Sequence, residues 1–167
     1  MPRLPSTPAL TACLVIFLAA SALPARAEGV DVGKPSALRN LVPAEQIENS
    51  ATQEYQALLR QAASKRALAP ADDPQVQRLR RIADHLIPYV RPFNARAVRW
   101  QWEINLIGSK QINAFCMPGG KIAFYTGLVD GLKLSDDEIA AVMGHEIAHA
   151  LREHARERIA KSQLTSL

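Results

Sequence analysis

A chain of 167 residues, 48% of them apolar, is long enough to form one globular domain with its own core. Its formal net charge of +4 is small, and removal of residues 1–27 would leave 18 cations against 16 acids, or +2. Only one cysteine, Cys116, follows that segment, which excludes an internal disulfide in the rest of the chain.

Residues 1–27 have the pattern of an export signal. Arg3 gives a weakly positive start, residues 10–23 are apolar, and Ala25-Arg26-Ala27 is an A-x-A cleavage site. We predict a signal peptide, a mature chain in the periplasm, and no nucleic-acid partner, which an exported protein rarely meets. The apolar stretch is short for a membrane span, so a retained anchor and lipidation at Cys13 are lesser alternatives.

Two helices are predicted after a flexible leader at residues 28–42. The first, residues 43–68, carries apolar side chains at helical spacing. The second starts where Asp73 can cap a helix that has Pro74 at its first position, and it ends near Pro88. The leader is therefore expected to precede the folded part, which we assign to residues from 43 onward.

A change to a two-residue period predicts a half-buried strand over residues 98–106, with Trp100 and Trp102 on its apolar face. Residues 112–117 and 121–126 are predicted as two further strands joined by a Pro-Gly-Gly hairpin turn. Helices followed by strands and then another helix indicate an α+β fold.

A basic stretch overlaps the second helix and the first strand. Two interpretations remain open: solvated helix and strand faces, or a peripheral contact with an acidic membrane surface. The residues concerned are Arg78, Arg80, Arg81, Arg91, Arg96 and Arg99.

The most informative segment follows in a third long helix, which Ser135 and Glu138 are predicted to start as a capping box. His145 and His149 lie four residues apart, hence one turn apart on one helical face, where both imidazoles can bind one zinc ion. Glu146 between them can act as a general base toward water. We predict metal-assisted peptide hydrolysis with one Zn²⁺ per subunit; the alternative is an amphipathic helix with two incidental histidines.

A catalytic zinc ion takes three protein ligands, and the sequence offers no obvious third one. On a continuous helix His154 would point roughly 140° away from His149, and Glu153 would lie roughly 12 Å from His145. The spacing HExxHxxGxxH is not present. We expect the third ligand to be a Glu on a helix beyond Leu167, which makes the chain a fragment or a natural short form.

An exposed strand edge beside a zinc ion can hold an extended peptide as an additional strand. Either of the last two predicted strands can supply that edge, or both can be purely structural. The candidate substrate-binding residues are Asn113, Ala114, Phe115, Gly119 and Gly120.

Five segments form a specific combination: Asn113-Ala114-Phe115, Pro118-Gly119-Gly120-Lys121-Ile122, Tyr125-Thr126-Gly127-Leu128, Glu138, and Gly144-His145-Glu146-Ile147-Ala148-His149. Together they resemble the HtpX and CAAX-prenyl-protease type of zinc peptidase, family forty-eight of the metallopeptidases. The likeness covers residues 73–158. With the export signal, the chain looks most like the soluble periplasmic branch that includes BepA- and LoiP-like proteins.

The resemblance implies a gluzincin-like zincin fold, in which a small twisted sheet packs on helices and the HExxH motif lies on a helix. It implies His145 and His149 as zinc ligands, Glu146 as the catalytic base, and a third ligand on a later helix. Residues 43–167 would then be the N-terminal part of a metallopeptidase domain.

The implied function is that of a zinc-dependent metalloendopeptidase of the bacterial envelope. Its expected substrates are unfolded or misfolded periplasmic and outer-membrane polypeptides. The alternative is a catalytically incomplete short form that binds unfolded chains in the manner of a chaperone.

Overall fold

The sheet has one central strand and two edge strands, of which one is bridged by a neighbouring segment. In the computed structural model, which describes residues 37–165, the strands are β1 (Glu103–Ile107), β2 (Ala114–Met117) and β3 (Lys121–Tyr125). β3 pairs with β1 in parallel and with β2 in antiparallel orientation, so β3 is central and β2 lies at an edge. The prediction of a free strand edge is therefore confirmed for β2 and wrong for β3.

Helices cover both faces of this sheet. α1 packs on one face through Tyr55, Leu59 and Ala62, whereas α2 and α4 pack on the other face through residues such as Leu79 and Met143. This arrangement confirms the predicted α+β fold with a small sheet packed on helices. The helices are α1 (Ala44–Ser64), α2 (Pro74–Leu86), α3 (Thr126–Val129), α4 (Asp136–Leu151) and α5 (His154–Thr165).

The predicted helix starts agree with the structure better than the predicted ends. The carboxylate of Asp73 accepts hydrogen bonds from the backbone N–H groups at the start of α2, and Pro74 occupies the first position as predicted. α1 ends at Ser64 rather than at residue 68. The chain then passes through Arg66 at φ 54°, so that Leu68 can form an antiparallel bridge to β1.

The prediction of a strand over residues 98–106 is wrong in its first half. Ala95–Arg99 forms a 3-10 helix, which Asn94 caps by accepting a hydrogen bond of 2.9 Å from the backbone N–H of Arg96. Regular pairing begins only at Glu103. The local Asn cap offers the backbone an alternative to the ladder, and an alternating pattern does not reveal that competition.

Trp100 and Trp102 therefore precede the sheet instead of sharing one strand face. Their rings are tilted against each other with centroids 5.4 Å apart, and the indole N–H of Trp102 donates to the carbonyl of Ala97 at 3.2 Å. The Trp102 ring lies so close to Gly120 that an added Cβ would come within 2.8 Å of it. Gly120 also has φ +78°, so both sterics and backbone conformation require glycine there.

Two arginines of the basic stretch connect elements, so the solvated-face interpretation is wrong for them. Arg96 donates to both carboxylate oxygens of Glu48 at 3.0 and 2.9 Å, and the indole N–H of Trp100 donates to the same group. Burial would raise the pKa of Glu48, but these hydrogen bonds and the nearby positive charge lower it. Arg78 pairs with Asp136 at the start of α4.

The end of the predicted leader is structured. Ala37–Leu41 forms a 3-10 helix that contacts α5, and Val42 is buried. The predicted signal peptide, residues 1–27, lies outside the described residues. Within residues 37–165, no helix combines the length and apolar character needed to cross a bilayer.

A sharp corner separates α4 from α5. Glu153 has φ 57°, a left-handed conformation that costs a non-glycine residue about 1–2 kcal/mol. Its carboxylate is 2.9 Å from guanidinium nitrogens of both Arg39 and Arg156, and the residue is only 8% exposed. This buried ion triad ties the segment before α1 to the corner and offsets the backbone strain.

We predict that Tyr55→Phe lowers the free energy of unfolding by about 1–3 kcal/mol, because it removes a buried hydrogen-bonding group. The Tyr55 hydroxyl donates to the carbonyl of Ile122 and accepts from Asn105 Nδ2 at 3.0 Å. Urea unfolding followed by circular dichroism measures the change. Tyr89→Phe is the control, since Tyr89 is 72% exposed, and equal effects of the two changes would contradict the assignment.

Replacement of the buried acid at the corner should lower stability more than replacement of an acid that pairs with an exposed lysine. We expect Glu153→Ala to cost roughly 3 kcal/mol, because two guanidinium groups lose their shared partner. The matched variant is Glu157→Ala, which breaks the pair with the exposed Lys161 and should leave the urea midpoint nearly unchanged. Similar losses from both variants would show that the triad does not stabilise the corner.

Candidate metal centre

α4 presents the predicted site from a helix that is capped at its start and buried on its inner side. The backbone N–H of Ser135 donates to the Glu138 carboxylate at 2.8 Å, and the Ser135 hydroxyl accepts from the N–H of Glu138, which completes the predicted capping box. Ile147 is 4% exposed and faces the core. His145 and His149 lie on the solvent-exposed side.

The two imidazoles converge as their spacing predicts. Nε2 of His145 is 2.9 Å from Nε2 of His149, and the rings meet edge to face with centroids 4.5 Å apart. Two nitrogens bound to one tetrahedral zinc ion lie about 3.3 Å apart, from bond lengths of about 2.0–2.1 Å. A small rotation of either ring reaches that separation, so this pair fits zinc as two of its ligands.

A cleft of about 510 Å³ opens beside the histidines, bounded by α1, β2, α4 and α5. Glu146 and His149 both line it, so the predicted base and one predicted ligand face the same space. Sequence analysis missed the contributions of α1, which is distant in the chain, and of α5, which reaches the cleft through the corner at Glu153. Other lining residues are Ile47, Ala51, Glu54, Phe115, Cys116, Met117, Arg158 and Ile159.

The free edge of β2 borders this cleft. The backbone N–H of Tyr125 donates to the carbonyl of Asn113 at 3.1 Å, and bonded pairs alternate in an antiparallel ladder. Ala114 and Cys116 are consequently the residues whose backbone N–H and C=O groups point away from β3. These groups are available to pair with an extended peptide.

The five candidate substrate-binding residues do not lie together at one site. Phe115 lines the cleft, and Asn113 and Ala114 precede it at the same sheet edge. Gly119 and Gly120 are buried in the hairpin turn, with φ +84° and +78°. The backbone conformation of the turn accounts for both glycines, and neither lines the cleft.

Cys116 lies on β2 opposite the predicted base. Burial raises the pKa of its thiol, and the negative charge of Glu146 raises it further. The thiol is therefore neutral at pH 7, which disfavours it as a thiolate ligand or nucleophile.

His154 is not where a continuous helix would place it, so the prediction that it points away from His149 is wrong. Because the chain turns at Glu153, Nδ1 of His154 comes within 2.7 Å of Nδ1 of His149. Burial, the His149 ring and the charge of Arg152 lower the pKa of His154 and favour its neutral form. His154 contacts the nitrogen of His149 that faces away from His145, so it does not join the pair of Nε2 atoms.

Glu153 also lines the cleft, but its carboxylate is held by Arg39 and Arg156. Within residues 37–165, no three His, Cys, Asp or Glu side chains are placed to hold one metal ion together. The described residues therefore supply the pair of imidazoles and the acid between them.

More than half of the chain matches a known protein family. Residues 73–167 match Peptidase family M48. The chain is 46% identical over 61 residues to the mitochondrial metalloendopeptidase OMA1 of Arabidopsis thaliana, which covers 36% of this chain and 12% of that protein. It is 34% identical over 94 residues to the metalloprotease LoiP of Escherichia coli, which covers 56% and 34%.

A third relative is the beta-barrel assembly-enhancing protease of Yersinia pestis, 31% identical over 70 residues, covering 42% of this chain and 14% of that protein. The chain thus spans about a third or less of the length of these curated relatives. The family match extends over more than half of the chain and includes the whole of α4 and α5. The chain belongs to peptidase family M48, a family of metalloproteases.

Proposed function

We propose that this protein is a zinc-dependent metalloendopeptidase of the bacterial envelope. One observation carries the proposal: the Nε2 atoms of His145 and His149 converge to 2.9 Å beside a cleft that Glu146 also lines. Membership of a metalloprotease family supports the chemistry. Two histidines as ligands, with a carboxylate between them as general base, are the arrangement that HExxH zinc peptidases use.

His145 and His149 would hold the metal through Nε2. When bound, zinc supplies a Lewis acid that polarises the scissile carbonyl and lowers the pKa of water toward about 7. Glu146 accepts a proton from the attacking water and delivers it to the leaving amide nitrogen. Apolar side chains such as Phe115 and Ile159 exclude bulk water from one side of the cleft, which strengthens these charge interactions.

The free edge of β2 favours extended polypeptides as substrates. Pairing with the backbone of Ala114 and Cys116 requires a segment that is not already in a folded structure. Unfolded or misfolded envelope proteins meet that requirement, and the Yersinia pestis relative is named for enhancing β-barrel assembly. The export pattern of residues 1–27 supports a periplasmic location. Peripheral membrane association is a further proposal, from the exposed arginines Arg91 and Arg99.

A second candidate function uses the same edge without catalysis. The backbone groups of β2 that point away from β3 can bind unfolded chains whether or not peptide hydrolysis follows. Such a binder would suppress aggregation and leave its clients intact. Zinc content separates the candidates, since a peptidase needs a tightly held, stoichiometric ion.

We predict that Glu146→Gln retains zinc and lowers casein cleavage by at least about 100-fold, because the amide cannot accept the proton of water. The assay uses the longest reading frame that contains residues 1–167, with zinc measured by atomic absorption. Glu54→Gln is the matched control, since Glu54 lines the same cleft from α1. This variant should cleave casein at the parental rate.

Parental cleavage by the Glu146→Gln variant would contradict the assignment of the base. Aggregation suppression by a protein that neither binds zinc nor cleaves casein would favour the second candidate. Loss of zinc in the Glu146→Gln variant would mean that this carboxylate is a ligand.

A further inference from the structure

The corner between α4 and α5 places a third imidazole behind one of the two proposed ligands. His154 is the first residue of α5, and its ring centroid is 4.9 Å from that of His149. Nδ1 of each ring faces the other at 2.7 Å, a distance that requires a hydrogen bond. His149 therefore contacts His145 through Nε2 and His154 through Nδ1.

Only one of the two nitrogens of a neutral His149 can bind a metal, because the other carries the proton. A neutral imidazole carries one proton, and the nitrogen that binds a metal must be without it. Binding through Nε2 places the proton of His149 on Nδ1, where it needs an acceptor that also fixes the plane of the ring. Nδ1 of His154 is the acceptor within reach.

We propose that His154 is a positioning residue that holds the His149 ring with Nε2 directed at the metal. This inference rests on the proposed zinc function and assigns His154 no contact with the metal. The ion triad of Glu153 with Arg39 and Arg156 sets the corner that brings His154 into place. The position of His154 therefore depends on the segment before α1 as well as on α4.

Arg152 disfavours the arrangement in which Nδ1 of His149 donates to Nδ1 of His154. Its Nε lies 3.2 Å from Nε2 of His154 and can only donate, so a neutral His154 carries its proton on Nδ1 and donates to His149. If His149 held a metal through Nε2, its proton would lie on Nδ1 instead of Nε2, and the proton of His154 would lie on Nε2 instead of Nδ1. The count of protons is unchanged, and Arg152 must release His154.

The test measures zinc affinity of the full chain by competition with a chromophoric chelator. His154→Ala should weaken zinc binding by about 10- to 100-fold, the usual effect of losing such a hydrogen-bond partner. His154→Asn should restore most of the affinity, because its Oδ1 can accept at the position of Nδ1. His85→Ala is the matched control, since His85 is exposed on α2 and does not line the cleft.

Arg152→Gln separates positioning from a merely structural role of the corner. This change should leave zinc affinity equal or higher, and ¹⁵N shifts of the metal-free protein should show more His149 with its proton on Nδ1. Urea unfolding of each variant checks that the fold is retained.

Two results would overturn the inference: wild-type affinity in His154→Ala, or a loss in Arg152→Gln as large as that in His154→Ala. Failure of the wild-type chain to bind zinc would contradict the proposed function and this inference together. Normal zinc binding with no effect of His154→Ala would contradict this inference alone.

Discussion

The approach of two imidazoles one helical turn apart organises the rest of this structure. His145 and His149 can converge to 2.9 Å only if α4 keeps its helical geometry through the motif and turns that face toward the cleft. The capping box fixes the start of the helix, and Ile147 anchors the opposite face in the core. The cap and the apolar face of α4 thus serve the site without contacting a substrate.

The order of the strands in the sheet, rather than their number, determines which strand borders the cleft. Because β3 is central, β2 is left at the edge, and its unpaired backbone groups border the same cleft as Glu146. A strand that could pair with other chains is normally a hazard in a soluble protein. Beside a carboxylate and two imidazoles, the same edge would hold an extended peptide close to the reacting groups if the proposed function is correct.

Features set by local interactions could be predicted from the sequence, and features set by distant partners could not. The caps at Asp73 and Ser135 and the hairpin between β2 and β3 depend on neighbouring residues, and each was located correctly. The break at Glu153 has no glycine or proline to announce it and depends on Arg39, more than a hundred residues earlier in the chain. The position of His154 beside His149 follows from that break, so sequence spacing alone gave the wrong direction.

X-ray absorption at the zinc edge of the zinc-loaded chain identifies the atoms that bind the metal. We expect nitrogen or oxygen neighbours at about 2.0–2.1 Å, with outer-shell scattering from two imidazole rings. A spectrum with a sulfur neighbour at about 2.3 Å, or one without imidazole scattering, would contradict the assignment of His145 and His149 as ligands.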